Sequence, residues 1–322
     1  MAEINGYRII GELKCNNSGY SKWGFAKKNG RDVFIKEFLS PIYPLDATVL
    51  SREQIMRKRD ICNQFENEKK AFYMELNKCS NGNIVTVADF FRSGSKYYMV
   101  TEKVDATAIE PDAISRLSLE QKVLIMKIII HCMRSLHNHG IVHGDIKPDN
   151  ILFKKTSKGI YTAKIIDFDS SFLETKPPEN EDEFQGDMVY LAPESLLFIA
   201  EEEGGILTRK LDVFALGVLF HQYLSGDLPG FNHEKYDYAF EAVLDGCELE
   251  IHPSIPDYFK EILRSMLERE PDKRPNVEEI FTYLTKDDMR TDFAEPKPIT
   301  KPLGNTSGVF TKQFFNKART TL

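Results

Sequence analysis

The sequence has little cysteine and no long apolar segment. Its 322 residues include five cysteines, which are scattered and never spaced as Cys-x-x-Cys. This pattern argues against a disulfide framework or a zinc site, and it favours a reducing compartment. The most apolar stretch, residues 123–133, is too short to span a bilayer and is interrupted by Lys127 and His131. The first residues also lack the basic and apolar segments of a signal peptide, so we expect a cytoplasmic protein with no membrane partner.

A net positive charge is also missing. The formal charge is −7, which argues against a general nucleic-acid-binding protein. Residues 1–104 carry +5 and residues 105–166 carry +3, whereas residues 167–194 carry −8, residues 195–288 carry −11 and residues 289–322 carry +4. A basic first half therefore precedes an acidic second half. Because 42% of the residues are hydrophobic, the chain can still bury a sizeable core.

Two regions of different periodicity follow one another along the chain. Strand-like patterns lie at residues 7–13, 23–26, 33–38, 84–91 and 97–104, with one helical pattern between them at residues 52–78. Helical patterns then dominate, at residues 119–139, 211–224, 258–267 and 277–284. This order predicts an α+β fold of two lobes: a small, strand-rich lobe with one main helix (1–104) and a larger helical lobe (105–288). We expect the proline-containing residues 289–322 to form a C-terminal tail.

Two short motifs carry candidate chemistry. The first, HGDIKPDN at residues 143–150, places an acid, a cation and an amide within six residues. Asp145 is suited to accept a proton, Lys147 to neutralise negative charge, and Asn150 to bind a metal through its oxygen. The second motif, KIIDFD at residues 164–169, places Asp167 at the end of a short apolar strand. Asn150 and Asp167 together offer the hard oxygen ligands that Mg²⁺ takes when it also bridges phosphates.

These motifs resemble those of the protein kinase family, and the resemblance extends over residues 7–285. The family's catalytic loop reads H-R-D-x-K-P-x-N and its metal-binding motif reads D-F-G. Further segments match in the family's order: VFIK at 33–36, ENEKK at 66–70, YLAPE at 190–194, DVFALG at 212–217 and DKRP at 272–275. The chain is thus similar to eukaryotic-like serine/threonine protein kinases, in particular bacterial ones. The two predicted lobes then correspond to the N-lobe and C-lobe of the kinase fold.

The resemblance implies ATP and Mg²⁺ as cofactors, with Mn²⁺ as an alternative metal. The implied catalytic residues are Asp145, Lys147, Lys36 and Glu68. The implied nucleotide-binding residues are Lys36, Gly19, Thr101, Glu102, Val104, Asn150 and Asp167, and the last two would also bind the metal. In this scheme Lys36 holds the α- and β-phosphates and pairs with Glu68. Thr101 is the gatekeeper beside the hinge that binds adenine (102–104).

Several positions depart from the family pattern. The glycine-rich loop at residues 14–24 has only Gly19 at an expected glycine position. Gly144 replaces the arginine that pairs in the family with a phosphorylated activation-loop residue, and no serine or threonine lies between Thr175 and residue 194. We therefore expect activity without activation-loop phosphorylation. Asp169 replaces the glycine of D-F-G, and Asp187 stands where serine/threonine kinases usually have a threonine.

The sequence is interpreted as a serine/threonine protein kinase that transfers the γ-phosphoryl group of ATP to protein hydroxyls, including its own. The acidic second half predicts a protein substrate with basic residues around the acceptor, and no nucleic-acid partner. One alternative is a small-molecule kinase of the aminoglycoside or choline type, which lacks the Ala-Pro-Glu segment found here at residues 192–194. The other is a catalytically weak pseudokinase that acts as a nucleotide-binding scaffold.

Overall fold

Antiparallel strands form the first part of the molecule. The structure, a computed structural model, describes residues 2–15, 21–45, 50–157, 159–180, 184 and 186–286. One sheet has the order β1-β2-β3-β4-β6-β5, and its strands are Glu3–Ile4 (β1), Tyr7–Cys15 (β2), Ser21–Lys28 (β3), Arg31–Phe38 (β4), Val87–Ser93 (β5) and Lys96–Glu102 (β6). Helix α1 (Arg52–Lys78) is inserted between β4 and β5 in sequence and packs against β5.

The hairpin between β3 and β4 fixes the position of Lys36. Asn29 and Gly30 form its two-residue turn with φ values of 51° and 77°, as a type I′ turn requires. The resulting register places Lys36 between Trp23 on β3 and Met99 on β6, in an inner strand of the sheet. The side chain of Lys36 is therefore buried, with 3% of its surface exposed.

Helix α1 begins at a capping box and is held by aromatic packing. The Ser51 side chain accepts a hydrogen bond from the backbone N–H of Gln54, and the Gln54 side chain accepts one from the backbone N–H of Ser51. Further along the helix, the Phe65 ring lies 5.2 Å from that of Tyr97 on β6, and the Tyr73 ring lies 5.4 Å from that of Phe90 on β5. These contacts set which face of α1 is directed at the sheet.

Helices form most of the second part. They are Pro111–Ser115 (α2), Leu119–Asn138 (α3), Pro193–Ile199 (α4), Lys210–Ser225 (α5), Ala239–Leu244 (α6), Asp257–Met266 (α7) and Val277–Thr285 (α8). Short strands also occur: Thr107–Ala108 (β7), Ile141–Val142 (β8), Ile151–Lys155 (β9), Tyr161–Ile165 (β10) and Phe172–Leu173 (β11). Helix α5 is apolar on nearly all sides and runs through the core, where α3 and α7 pack against it.

The long predicted elements are present, and several short ones were not predicted. Helix α1 has the predicted bounds, whereas the strand predicted at residues 84–91 is observed as β5, Val87–Ser93. The short helices α2, α4 and α6 and the paired strands β7 to β11 have too few residues to show a period. The tail predicted at 289–322 lies outside the described residues. No helix in the described part of the chain is both long enough and apolar enough to cross a membrane.

Candidate active site

A buried carboxylate fixes the backbone of the HGDIKPDN segment. Asp212, in the first turn of α5, accepts hydrogen bonds from the backbone N–H groups of His143 (2.8 Å) and Gly144 (2.9 Å). Its Oδ2 atom also lies 3.0 Å from Nε2 of His137 on α3. The site segment is therefore positioned by a carboxylate on α5, 69 residues away from His143 in sequence. Gly144 has φ of +80°, and a Cβ atom there would lie 2.5 Å from the carbonyl oxygen of Ser170.

Asp145, Lys147 and Asn150 meet as the motif predicts. The Oδ2 atom of Asp145 lies 2.8 Å from Nζ of Lys147 and accepts a hydrogen bond from Nδ2 of Asn150 at 2.9 Å. Its Oδ1 atom accepts one from the backbone N–H of Asp187 at 3.1 Å. The Asp187 side chain lies 3.7 Å from Nζ of Lys147. Burial lowers the pKa of Lys147, but the charge and hydrogen bond of Asp145 and the charges of Asp187 and Asp167 together outweigh burial. The net pKa is therefore raised, and the ammonium stays charged.

The pairing of β9 with β10 brings Asn150 and Asp167 to the same end of a two-strand ladder. Ile151 on β9 is opposite Ile165 on β10, and the backbone N–H of Ile166 donates to the carbonyl of Asn150 at 3.0 Å. Asn150 directly precedes β9, and Asp167 follows two residues after β10. Asp167 adopts φ of 62°, a left-handed conformation that is uncommon outside glycine and is typical of functional sites.

The ammonium group of Lys36 is held by two carboxylates. Its Nζ atom lies 3.0 Å from Oδ1 of Asp167 and 2.7 Å from Oδ2 of Asp169. Burial lowers the pKa of Lys36, but the charges of Asp169 and Asp167 more than offset this, and the net pKa is raised. Lys36 therefore carries a fixed positive charge between β4 and the segment that follows β10.

Glu68 does not lie at this cluster. Its Oε1 atom accepts hydrogen bonds from Nζ of Lys176 at 2.6 Å and from Nε2 of Gln64 at 3.0 Å. Burial raises the pKa of Glu68. The hydrogen bonds from Lys176 and Gln64 lower the pKa by more than burial raises it, so the net pKa is lowered. The predicted ion pair between Lys36 and Glu68 is thus not formed in this structure, because the Glu68 side chain is directed along a neighbouring face of α1.

The predicted adenine-binding residues follow one another at the end of β6. Thr101 is buried, and its hydroxyl donates to the backbone carbonyl of Glu102. The carboxylate of Glu102 forms an ion pair with Lys164 on β10, so it is engaged within the protein. Val104 lies two residues beyond β6 and is half-buried. Gly19, the predicted phosphate-loop glycine, lies outside the described residues.

The donor set at Asn150 and Asp167 fits Mg²⁺. The amide nitrogen of Asn150 is engaged by the backbone carbonyl and side chain of Asp145, which leaves its amide oxygen to face a cation. Asp167 adds a carboxylate oxygen. Within the described ranges, no cluster of three or more His, Cys, Asp or Glu side chains is arranged to hold a metal. Two protein oxygens suffice for Mg²⁺ when waters and phosphate oxygens complete its octahedral shell.

Comparison with known proteins agrees with this arrangement. The family model described as "Protein kinase domain" matches residues 50–284. The chain belongs to the protein kinase domain family. The predicted family and its two-lobed α+β fold are thereby confirmed. The match begins after Lys36, so the role of this lysine remains a prediction.

Curated relatives come from plants, fungi and bacteria. Calcium-dependent protein kinase 24 of Arabidopsis thaliana is 28% identical over 65% of this chain and 36% of its own length. Serine/threonine-protein kinase PSK2 of Saccharomyces cerevisiae is 30% identical over 64% of this chain and 18% of its own length. Serine/threonine-protein kinase PrkC of Bacillus subtilis is 27% identical over 79% of this chain and 38% of its own length. The chain therefore matches less than two fifths of the length of each of these relatives.

Sequence reasoning missed the partner of Lys36. Asp169 was identified only as a replacement for a glycine, not as a carboxylate 2.7 Å from Lys36. The available signal was the acid at residue 169 together with the lysines at residues 69 and 70, next to the predicted glutamate. An added acid beside a buried lysine is expected to form an ion pair, because an unpaired buried charge is costly.

Proposed function

We propose that this protein is a cytoplasmic serine/threonine protein kinase that uses ATP and Mg²⁺. The supporting observation is the arrangement of Asp145, Lys147 and Asn150, which joins a carboxylate, a cation and an amide within hydrogen-bonding distance. Lys147, where tyrosine kinases differ, favours serine and threonine acceptors. The alternatives of a small-molecule kinase and a pseudokinase are outcomes of the experiment below.

Asp145 has the position of the proton acceptor. In the transfer, the acceptor hydroxyl oxygen forms a bond to the γ-phosphorus, and the bond from that phosphorus to the oxygen bridging to the β-phosphate breaks. The hydroxyl proton moves to Asp145, and ADP leaves. The backbone N–H of Asp187 and the side chain of Asn150 hold the Asp145 carboxylate in one orientation, while Lys147 neutralises charge on the transferred group.

Asn150 and Asp167 would hold the metal, and Lys36 would hold the α- and β-phosphates. Bound Mg²⁺ supplies neutralisation of the phosphate charge. Because Lys36 is buried and positively charged before nucleotide binds, it needs no reorganisation to meet a phosphate oxygen. By resemblance, Gly19 would cover the phosphates, and Thr101, Glu102 and Val104 would line the adenine site.

We also propose that activation-loop phosphorylation is not required. The segment 167–194 is already tied to the helical lobe by a carboxylate, since Glu174 forms an ion pair with Arg209 at 2.8 Å and accepts its backbone N–H at 3.0 Å. A charged carboxylate offers oxygen acceptors to a guanidinium much as a phosphate does. Glu174 thus supplies a permanent anchor for this loop. Gly144 has no side chain with which to bind a phosphate on the loop.

The substrate would be a protein with basic residues near the acceptor. Residues 167–288 contain a large excess of acidic over basic residues, and this favours binding of cationic segments. A small recess beside Asp145 is lined in part by Asp187 and Tyr190, so a further carboxylate lies next to the proposed proton acceptor. The tail at 289–322, which is basic and rich in threonine, is the proposed site of autophosphorylation.

Incubation of the purified chain with γ-labelled ATP and Mg²⁺, followed by phosphosite mapping, tests this proposal. We expect label on serine or threonine of a basic protein substrate and on the tail. Asp145→Asn should lower transfer by about 10²-fold or more, whereas Asp149→Asn, an exposed carboxylate in the same segment, should leave it unchanged. Prior treatment with a phosphatase should also leave the rate unchanged.

Three results would contradict parts of this proposal. Transfer only to a small alcohol would favour the small-molecule kinase, and nucleotide binding without any transfer would favour the pseudokinase. Loss of activity on phosphatase treatment, with recovery when a phosphate returns to residues 167–194, would refute independence from activation-loop phosphorylation. Equal activity in Asp145→Asn and the unsubstituted protein would refute the assignment of the proton acceptor.

A further inference from the structure

The inward face of helix α1 presents a lysine to the site. Lys69, Tyr73 and Leu76 are spaced i, i+4 and i+7, so they lie on one face of the helix. Tyr73 and Leu76 are buried, with 5% and 0% of their surfaces exposed. Glu68 is one residue earlier and therefore turned by about 100° around the helix axis. This rotation directs Glu68 to Lys176 and leaves Lys69 on the face that packs towards the sheet.

Lys69 lies over the same face of β4 from which Lys36 projects. Its Nζ atom is 6.0 Å from the ring centre of Phe38. Phe38 and Lys36 are two residues apart on β4, so their side chains project from the same face of the sheet. Two lysines thus converge on one side of β4, and the two carboxylates that meet Lys36 come from the segment after β10.

The charges of this cluster compensate one another. Burial lowers the pKa of Lys69, the charge of Asp169 raises it and the charge of Lys36 lowers it, and the net pKa is lowered. With glycine at residue 169, buried Lys36 and half-buried Lys69 would share the carboxylate of Asp167. Such an excess of buried positive charge is unfavourable. The carboxylate at residue 169 therefore compensates the positive charge that Lys69 adds near Lys36.

We propose that Asp169 is the positioning residue for Lys36 and that the charge of Lys69 stabilises the Asp169 carboxylate. The ion pair that the family forms between its strand lysine and a helix glutamate is here formed with a carboxylate two residues beyond the metal ligand. This inference deepens the proposed function, because it concerns how Lys36 meets the triphosphate of ATP.

The arrangement leaves Asp167 available for Mg²⁺. A cation at Asp167 competes with Lys36 for the same carboxylate, and the 2.7 Å contact with Asp169 keeps Lys36 anchored when that happens. In the kinase family, the position of the helix glutamate controls formation of the ion pair. Here the partner of Lys36 is not on α1, so formation of the pair does not depend on the position of a glutamate on that helix.

Nucleotide binding and stability test this inference independently of phosphotransfer. We expect Asp169→Asn to weaken binding of the non-hydrolysable analogue AMP-PNP with Mg²⁺ by about tenfold, measured by calorimetry. Where transfer is measurable, KM for ATP should rise by a similar factor. Glu66→Gln, which removes a carboxylate that pairs with Lys70 among the described residues, is the matched control and should bind as the unsubstituted protein does.

Exchange of the charges provides the second measurement. Asp169→Gly should weaken AMP-PNP binding, and Lys69→Glu combined with Asp169→Gly should restore it, because the helix then supplies the carboxylate. If Asp169→Asn proves unfolded by circular dichroism, Asp169→Glu, which keeps the charge, should fold and bind. The thermal midpoints of Lys69→Met, Asp169→Asn and the double variant should be non-additive, as expected for groups that interact.

Several results would overturn the inference. One is an unchanged Kd for AMP-PNP in Asp169→Gly, and another is failure of Lys69→Glu to improve the binding of Asp169→Gly. Additive thermal midpoints would also overturn it, as would a loss of AMP-PNP affinity in Glu68→Gln as large as that in Asp169→Asn. Failure of the proposed function looks different. In that case the unsubstituted protein binds AMP-PNP without transferring phosphate, and the variants still separate by Kd and by thermal midpoint.

Discussion

The guanidinium group of Arg274 is bound to the carboxylate of Glu194 by two hydrogen bonds of 2.6 and 2.8 Å, and both side chains are buried. The remaining N–H donors of Arg274 bind the backbone carbonyls of Lys210, Glu268 and Arg269. All five donors of the guanidinium are thus satisfied. This pair connects the start of α4, where the activation segment ends, to the segment that precedes α8.

We predict that Arg274→Met destabilises the protein strongly. The substitution leaves the Glu194 carboxylate buried without its partner, which costs about 3–5 kcal/mol in the free energy of unfolding. Urea denaturation followed by circular dichroism measures this loss. Arg269→Met, an exposed arginine nearby, should change the free energy by less than about 0.5 kcal/mol. Equal effects of the two substitutions would show that the buried pair does not stabilise this region.

A second prediction concerns Gly144, which precedes the proposed proton acceptor. Gly144 and Gly246 both have positive φ, +80° and +82°, but only at Gly144 would a Cβ atom meet a neighbour, the carbonyl oxygen of Ser170 at 2.5 Å. Gly246→Ala should cost about 1–2 kcal/mol from backbone strain alone. Gly144→Ala should cost about 1–3 kcal/mol more because of the contact with Ser170.

Phosphotransfer separates the two glycines further. Gly144→Ala displaces the backbone beside Asp145, so we expect kcat to fall by about 10²-fold, while Gly246→Ala leaves kcat unchanged. Calorimetric melting and steady-state rates measure the two effects. A Gly144→Ala protein as stable and active as Gly246→Ala would mean that the segment around Ser170 relaxes freely. An arginine at residue 144, as the family pattern has, is incompatible with this backbone conformation for the same reason.

The ion pair between Glu174 and Arg209 provides a third prediction. Glu174 accepts both the guanidinium and the backbone N–H of Arg209. Glu174→Gln should weaken this anchor by about 0.5–1 kcal/mol, since the arginine is partly exposed. We expect faster cleavage by trypsin after Arg209, because its side chain and backbone N–H are released from residue 174, and mass spectrometry measures the rate. Glu179→Gln, in the same segment, is the matched control, and an equal cleavage rate in both variants would contradict the anchoring role of Glu174.

The parts of the fold and site that were predicted correctly depend on local sequence. Helix α1 was predicted with its observed bounds because its apolar residues recur at helical spacing within the 27 residues of the segment itself. Asp145, Lys147 and Asn150 meet because they lie within six residues on one turn. Local motifs of this kind determine their own geometry, so the sequence alone identifies them.

The partner of Lys36 was not predicted because it depends on helix phase and on a distant loop. A shift of one residue along α1 rotates a side chain by about 100°, which is the difference between Glu68 and Lys69. Asp169 is more than a hundred residues away from Lys36, and its position depends on the register of β10. Neither the phase of α1 nor the contact between Asp169 and Lys36 is indicated by a periodic pattern or a motif spacing in the sequence.

A buried histidine outside the site supports the last prediction, a dependence of stability on pH. His221 on α5 is fully buried; its Nε2 atom accepts the backbone N–H of His252 at 2.9 Å, and Nδ1 lies 2.8 Å from the carbonyl oxygen of Asp227. This pattern requires the neutral ring with its proton on Nδ1, since a protonated Nε2 would face an N–H donor. Burial lowers the pKa of His221, the carbonyl of Asp227 raises it and the charge of His252 lowers it, and the net pKa is lowered.

The sign of the effect follows from proton binding. Below the unfolded pKa of about 6.5 the unfolded chain binds a proton that folded His221 does not, so folding becomes less favourable as the pH falls. The contribution of neutral His221 to the free energy of unfolding is complete above pH 6.5. Below that pH it declines by at most about 1.4 kcal/mol per pH unit, until the pKa of the folded protein is reached. We expect His221→Asn to reduce the slope of the unfolding free energy between pH 7 and pH 5, measured by urea denaturation at each pH. His233→Asn, an exposed histidine, should retain the slope of the unsubstituted protein. Parallel slopes for His221→Asn and the unsubstituted protein would mean that other groups carry the acid sensitivity.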